Sequence, residues 1–207
     1  MAHLLFVLSP LVAAALVGAA LGRVPWRLTG LRLRATALLW VTAAVAVVRY
    51  TAPGWLPEPL RRAHGLWLAC VVWALATIWF ALNLRPATPV VRAGLCLMWT
   101  GFMLNAIAVA ANGGAMPFAV DSGAAAGVGH VPLGPGHHLP WLTDVLVVPA
   151  FARVVSVGDL VLMAGITTLL VGAMARRHTA AGPDVPARPT GIRSPGRMEG
   201  DSYRPGR

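Results

Sequence analysis

Five apolar runs, near residues 4–21, 35–50, 65–84, 93–111 and 158–175, constrain this chain more than any single motif does. A helix needs about 20 mostly apolar residues, at about 1.5 Å rise each, to cross the hydrocarbon layer of a bilayer. Four of the runs approach that length with almost no interior charge. The sequence therefore predicts an all-α, polytopic helical membrane protein with five spans within residues 1–175. A long extracytoplasmic connection, residues 112–157, separates the fourth span from the fifth. The second run is the shortest and needs its flanking residues to reach both interfaces.

Composition agrees with that medium. Of 207 residues, 57% are hydrophobic and 12% are charged, against about 25% charged in an ordinary soluble domain. The net charge of +10 comes from 17 basic residues, all of them Arg. They cluster at span ends and in residues 176–207, where topology and anionic lipid account for them, so no nucleic-acid partner is expected. Membrane lipid is the expected partner, with another membrane protein or a peptide as a further one. Residues 176–207, rich in Arg, Pro, Gly and Ser, are expected to form a disordered basic cytoplasmic tail. The first run lacks a basic leader and reads as a retained span. Cys70 and Cys96 fall inside apolar runs and give neither a disulfide framework nor a zinc motif.

Arg bias sets orientation. Arg23, Arg27, Arg32, Arg34, Arg85, Arg92, Arg176 and Arg177 lie on one side of the five-span arrangement. Arg49, Arg61, Arg62 and Arg153 lie on the other. Eight against four places the C-terminus in the cytoplasm and the connection 112–157 outside, with Arg49, Arg61 and Arg62 as the conflict in the scheme.

The outer connection carries the unusual residues, and its apolar patches suggest a piece that dips into or lies on the membrane. Asp144 and Asp159 are the candidate catalytic pair, because an acidic group at membrane depth costs about 2.5 to 3.5 kcal/mol at a helix centre and is seldom placed there without a use. The two can meet only if the chain reverses between them, for which Pro149 and Gly158 are suitable breakers. If they share a proton they form an acid and a base. The structural alternative is that Ser156-x-x-Asp159 is a capping box and Asp144 caps a short helix. Asn112-Gly113-Gly114 reads as a helix stop. Asn105 lies seven residues earlier on the same helix face and is suited to interhelical hydrogen bonding. Asn105, Asn112, Gly113, Gly114, Met116, Pro117, His138 and Ser156 are the candidate binding residues. His130, His137 and His138 with Asp121 lack the spacing of a helical metal site, so no metal and no cofactor is expected. Gly94 and Gly101 match Gly158 and Gly165 in spacing and permit close helix contact within or between chains.

Taken together, Asn112-Gly-Gly-Ala-Met-Pro117, the His that follows, Leu142-Thr-Asp144, Pro149, Ser156-Val-Gly-Asp159 and Gly165 resemble domain-of-unknown-function family 5317. The resemblance implies a multipass bacterial membrane protein and supplies no reaction. A fainter one is to signal peptidase II, whose Asn-x-Gly-x-Ala-Phe segment and two catalytic Asp are similar in order to Asn112–Phe118, Asp144 and Asp159. The chain departs from that family at Val157, around Asp144 and in span number. Three functions follow as expectations: a membrane protein that binds a ligand or partner through its outer loop, an aspartyl intramembrane hydrolase, or a small transporter or channel.

Overall fold

The computed structural model describes residues 2–50, 58–119, 130–151 and 153–175. Within them the chain forms five α-helices: α1 (Ala2–Ala20), α2 (Thr36–Tyr50), α3 (Glu58–Leu84), α4 (Pro89–Ala111) and α5 (Val157–Ala173). Four three-residue strands lie between α4 and α5: β1 (Met116–Phe118), β2 (His130–Pro132), β3 (Leu146–Val148) and β4 (Arg153–Val155). The expected cytoplasmic tail, Asp121 and the Gly/Ala stretch 120–129 lie outside the described residues.

Two stretches, Leu66–Leu84 in α3 and Pro89–Ala111 in α4, are long and apolar enough to cross a membrane, and Leu8–Ala20, Thr36–Arg49 and Val157–Ala173 are shorter apolar helices. Their apolar residues are not confined to one face: Leu11, Leu16, Trp40, Trp67, Ile78 and Ile107 point outward. A helix that is hydrophobic all round belongs in a large core or in lipid.

Two helix starts precede the apolar runs, for local reasons. Pro89 occupies the first turn of α4 after Thr88, where its missing N–H would be unpaired in any case. The first turns of α3 contain Glu58, Arg61 and Arg62, which a hydropathy pattern leaves out although charged residues are good helix formers. Inside α1, Pro10 has no N–H for the Phe6 carbonyl, and Ser9 Oγ donates to that carbonyl at 2.7 Å instead.

Neighbouring helices pack in the order α2–α3–α4–α5–α1, and α4 against α5 is the most extensive contact. Its cause is glycine. A Cβ on Gly101 would sit 2.5 Å from the Gly158 carbonyl oxygen, and one on Gly94 would sit 2.5 Å from the Leu169 nitrogen. Gly158 faces Asn105 and Gly101, and Gly165 faces Met98 and the Gly94 carbonyl. The paired glycine spacing is thus used within one chain, bringing backbones to a separation no side chain allows. Beside this seam, Ala76, Trp79, Phe80, Val91, Leu95 and Leu169 form the main core, with Leu31 and Leu33 of the first connection packed on it.

Three arginines close helix C-termini, whose last carbonyls lack intrahelical donors. Arg23 Nη1 donates to Val171 O of α5 at 2.5 Å. Arg92 Nε donates to Leu84 O of α3 at 3.1 Å. Arg49 Nη2 donates to Gly114 O, just past α4, at 2.6 Å. One of the three arginines that conflicted with the charge bias therefore has a structural reason to be where it is. Asn83, buried in α3, accepts from Arg34 N at 2.7 Å and donates to the carbonyls of Arg34 and Trp79, tying the first connection to the bundle.

Candidate functional site

The sequence predicts an all-α chain with a long, membrane-dipping loop between α4 and α5; among the described residues that connection is instead a small deck of short strands and 3-10 turns. Five-residue patches such as Val145–Pro149 are too short and too β-branched to sustain a helix. They pair as strands instead.

The deck begins at the end of α4. Gly113 and Gly114 take φ of +70° and +94°. Gly114 N donates to Val109 O at 2.9 Å and Gly113 N to Ala110 O at 3.3 Å. These are the two bonds of a Schellman stop, so the expected helix end is present. Asn112 Nδ2 donates to Ala108 O at 2.8 Å and to His138 O at 3.0 Å, and its Oδ1 accepts from His138 N at 2.8 Å. That clamp brings the following Leu139, at φ 52°, onto Ala108, Met116 and Leu142. A left-handed leucine is strained by about 1 kcal/mol, and partial burial of its side chain with the Asn112 bonds offsets that cost.

β1 then runs parallel to β2 through Met116–His130, Pro117–Val131 and Phe118–Pro132. Asp144 joins β1 as well: its N–H donates to Pro117 O at 3.0 Å, and its carbonyl accepts from Ala119 N at 2.9 Å. The backbone thus seats Asp144 beside β1, and the side chain continues the pattern. His130 Nε2 lies 3.0 Å from Asp144 Oδ2, with the His130 ring edge-on to Phe118. Asp144 is 7% exposed, whereas the His130 side chain is 31% exposed. Asp144 Oδ1 is buried with no hydrogen-bond partner among the described residues. Burial raises the Asp144 pKa above 3.8; the charge of Asp159 adds to the rise, and the His130 hydrogen bond opposes it.

The reversal between the two acidic residues is a β-hairpin. Leu146, Val147 and Val148 of β3 pair antiparallel with Val155, Val154 and Arg153 of β4. Pro149 opens a 3-10 turn, Pro149–Phe151, at its tip, and Gly158 serves the α4 contact instead of breaking the chain. The hairpin delivers Ser156, the N-cap of α5.

The capping box is complete. Ser156 Oγ accepts from Asp159 N at 3.0 Å, and Asp159 Oδ2 accepts from Ser156 N at 3.1 Å. Asn105 closes a ring across the helix seam: its Nδ2 donates to Asp159 Oδ1 at 2.7 Å, and its Oδ1 accepts from Ser156 Oγ at 2.7 Å. Both Asp159 oxygens accept hydrogen bonds, and an acidic side chain in the first turn suits the positive end of α5. No hydrogen bond joins the Asp144 and Asp159 carboxylates among the described residues. Asp159→Ala removes the cap and strands Asn105 in the seam; a loss of about 1 to 3 kcal/mol is expected by thermal denaturation in detergent. Asp159→Asn, which can retain the acceptor for Asn105, should lose less.

The candidate binding residues therefore divide. Met116 and Pro117 are buried in β1, and Asn105 and Ser156 are occupied by the ring. Asn112, Gly113 and Gly114 shape the deck, and His138 is exposed on it. His130 was missed as Asp144's partner, since fourteen residues separate them and only the strand pairing brings them together.

The profile of a family described as a family of unknown function, DUF5317, matches residues 31–171, more than half of the chain. The chain belongs to DUF5317. The match runs from the residues before α2 through α3, α4 and the deck into α5, and takes in the Asn112 clamp, His130, Asp144 and the Asn105–Ser156–Asp159 ring. No curated protein and no solved structure matches. The likeness to signal peptidase II accordingly rests on the residue pattern alone.

Proposed function

We propose that this DUF5317 protein is a multi-pass protein of the bacterial cytoplasmic membrane that binds a ligand or partner through its outer deck. In this reading five helices cross the bilayer, the C-terminus is cytoplasmic, and the deck lies outside. Residues 176–207 lie in the cytoplasm beside anionic lipid. α2, with 15 residues, spans about 22 Å by itself, and the 3-10 turn Pro25–Gly30 before it, which carries exposed Trp26, supplies the remaining reach to the interface.

The observation that carries the binding reading is the buried Asp144 held by a part-exposed His130. A connection that only joined two helices would have no need to bury a carboxylate, at a cost of several kcal/mol for an unpaired ion. Exposed His138 and Trp141, on the same folded connection, offer a polar and an aromatic contact to an incoming molecule. A photoreactive residue at position 141 in intact cells should give an adduct of one defined mass, absent when the same residue is at position 26. Adducts with bulk lipid alone at both positions would contradict the reading.

One observation favours the aspartyl hydrolase: Asp144 feels the charge of Asp159. It ranks second because each Asp159 oxygen already has a partner, and a water-activating dyad needs its carboxylates turned to each other. A transporter or channel ranks third.

A further inference from the structure

The β3–β4 hairpin is apolar on both faces. A strand pair with one solvated face alternates apolar-in with polar-out. Here Val155 is buried and pairs with Leu146, which is the inward arrangement expected. The alternate pair, Val147 with Val154, should then be polar if it met water. Instead Val147 is 52% exposed, and the tip residues Pro149 and Ala150 are exposed as well. From residue 145 to residue 152 the chain has no charged or polar side chain.

The hairpin's position says what covers it. The Phe151 ring packs edge-on against Phe6 of α1, with centroids 5.6 Å apart. Phe6 lies four residues below the start of α1, about 6 Å along the axis. Leu5, Leu8, Leu11 and Val12 of that helix are also exposed, so the outward surface of the hairpin continues the outward surface of α1. Arg153, the first residue of β4, pairs with Val148 beside the tip and shares the inward face with Val155, so it leaves the outward face of the hairpin apolar.

We infer that the hairpin Leu146–Val155 is seated in the outer leaflet at the boundary between headgroups and acyl chains, with Val147 and the Pro149–Ala150 tip against the acyl chains. The inference rests on the multi-pass reading above. Open sheet edges are not tolerated within the hydrocarbon, and β3 and β4 form a two-stranded sheet with two outer edges, so the hairpin stays at the depth where headgroups and water satisfy those edges. The hairpin then anchors the deck at the membrane surface from its own side, independently of α4 and α5.

The test uses the full chain, with Cys70 and Cys96 replaced by Ala, in vesicles of phosphatidylethanolamine and phosphatidylglycerol. Nitroxide labels are placed singly at Val147→Cys, at Val12→Cys on α1 and at Gly136→Cys on the deck. Collision with oxygen, which partitions into lipid, is compared with collision with a water-soluble nickel chelate. The inference predicts an oxygen-to-nickel ratio at position 147 several-fold above that at 136 and approaching that at 12. A high ratio at 12 with a low one at 147 overturns the hairpin's insertion and leaves the multi-pass reading intact. Low ratios at both overturn the two together. Exclusion of both probes from position 147 places protein there, such as a second copy, and also overturns the inference; Ala150→Cys repeats the measurement if the label at 147 prevents folding.

Discussion

Gly101→Ala is expected to be among the most destabilising small substitutions in the chain. The added methyl would lie 2.5 Å from both the Gly158 carbonyl oxygen and the Leu162 nitrogen. Those are backbone atoms of α5 and cannot rotate away, so the helices must separate. Separation loosens the seam that Asn105, Ser156 and Asp159 close at its deck end. Overpacking costs about 1 to 3 kcal/mol where side chains can adjust, and occasionally more; the rigid neighbours here put the expectation at the upper end. Thermal denaturation in a mild detergent measures it. Gly136→Ala, whose methyl would meet nothing within 4 Å, is the matched control and should leave the midpoint unchanged.

The second large effect concerns the His130–Asp144 pair and has a definite sign with pH. Because burial first, and then the charge of Asp159, raise the folded-state pKa of Asp144 above 3.8, the folded protein holds this proton more tightly than the unfolded chain. Between 3.8 and the raised folded value the native state binds more protons, so stability falls as pH increases. The favourable contribution is complete below the unfolded pKa and is lost as pH rises through the folded one. Asp144→Asn retains an acceptor for His130 and removes the charge. It should abolish this part of the pH dependence and be at least as stable as the parent at pH values above the window. His130→Ala acts in the opposite direction. It leaves Asp144 buried without its one side-chain partner among the described residues, for a loss of about 1 to 3 kcal/mol at neutral pH. That loss should diminish on acidification as Asp144 becomes neutral. Parallel unfolding curves for parent, Asp144→Asn and His130→Ala across the acid range check all three statements. Identical pH slopes for the parent and Asp144→Asn would remove Asp144 from the account.

The helices were legible because hydropathy is a local property: each of the five runs corresponds to a helix, with starts displaced only where Pro89 or the charged turns after Glu58 extend it. The Asn112–Gly114 stop and the Ser156–Asp159 box were legible for the same reason, since both are contacts among residues three to five apart. The glycine spacing identified which faces of α4 and α5 would meet but left open whether they met within one chain. Long-range polar pairing was not legible. Nothing in the sequence around His130 points to Asp144, and nothing near Arg49 points to Gly114; in each case the partner is supplied by a chain reversal. Asn83 carried a signal that was available, a lone amide within an apolar run. The deck's strands were hidden because three-residue segments have no readable period.

These features bear on one another. The glycine seam brings Asn105 within reach of the α5 cap, the cap fixes where β4 ends, and the hairpin brings Asp144 back to within reach of the Asp159 charge. The deck is thus built on the α4–α5 pair, and its functional reading depends on which side of a membrane that pair presents it. Labelling with a membrane-impermeant maleimide in intact cells decides this most directly, using single cysteines His138→Cys on the deck and Arg85→Cys between α3 and α4, with Cys70 and Cys96 removed. The account predicts labelling of position 138 in intact cells and of position 85 only after permeabilisation. Labelling of 85 with protection of 138, or labelling of both without permeabilisation, would contradict it.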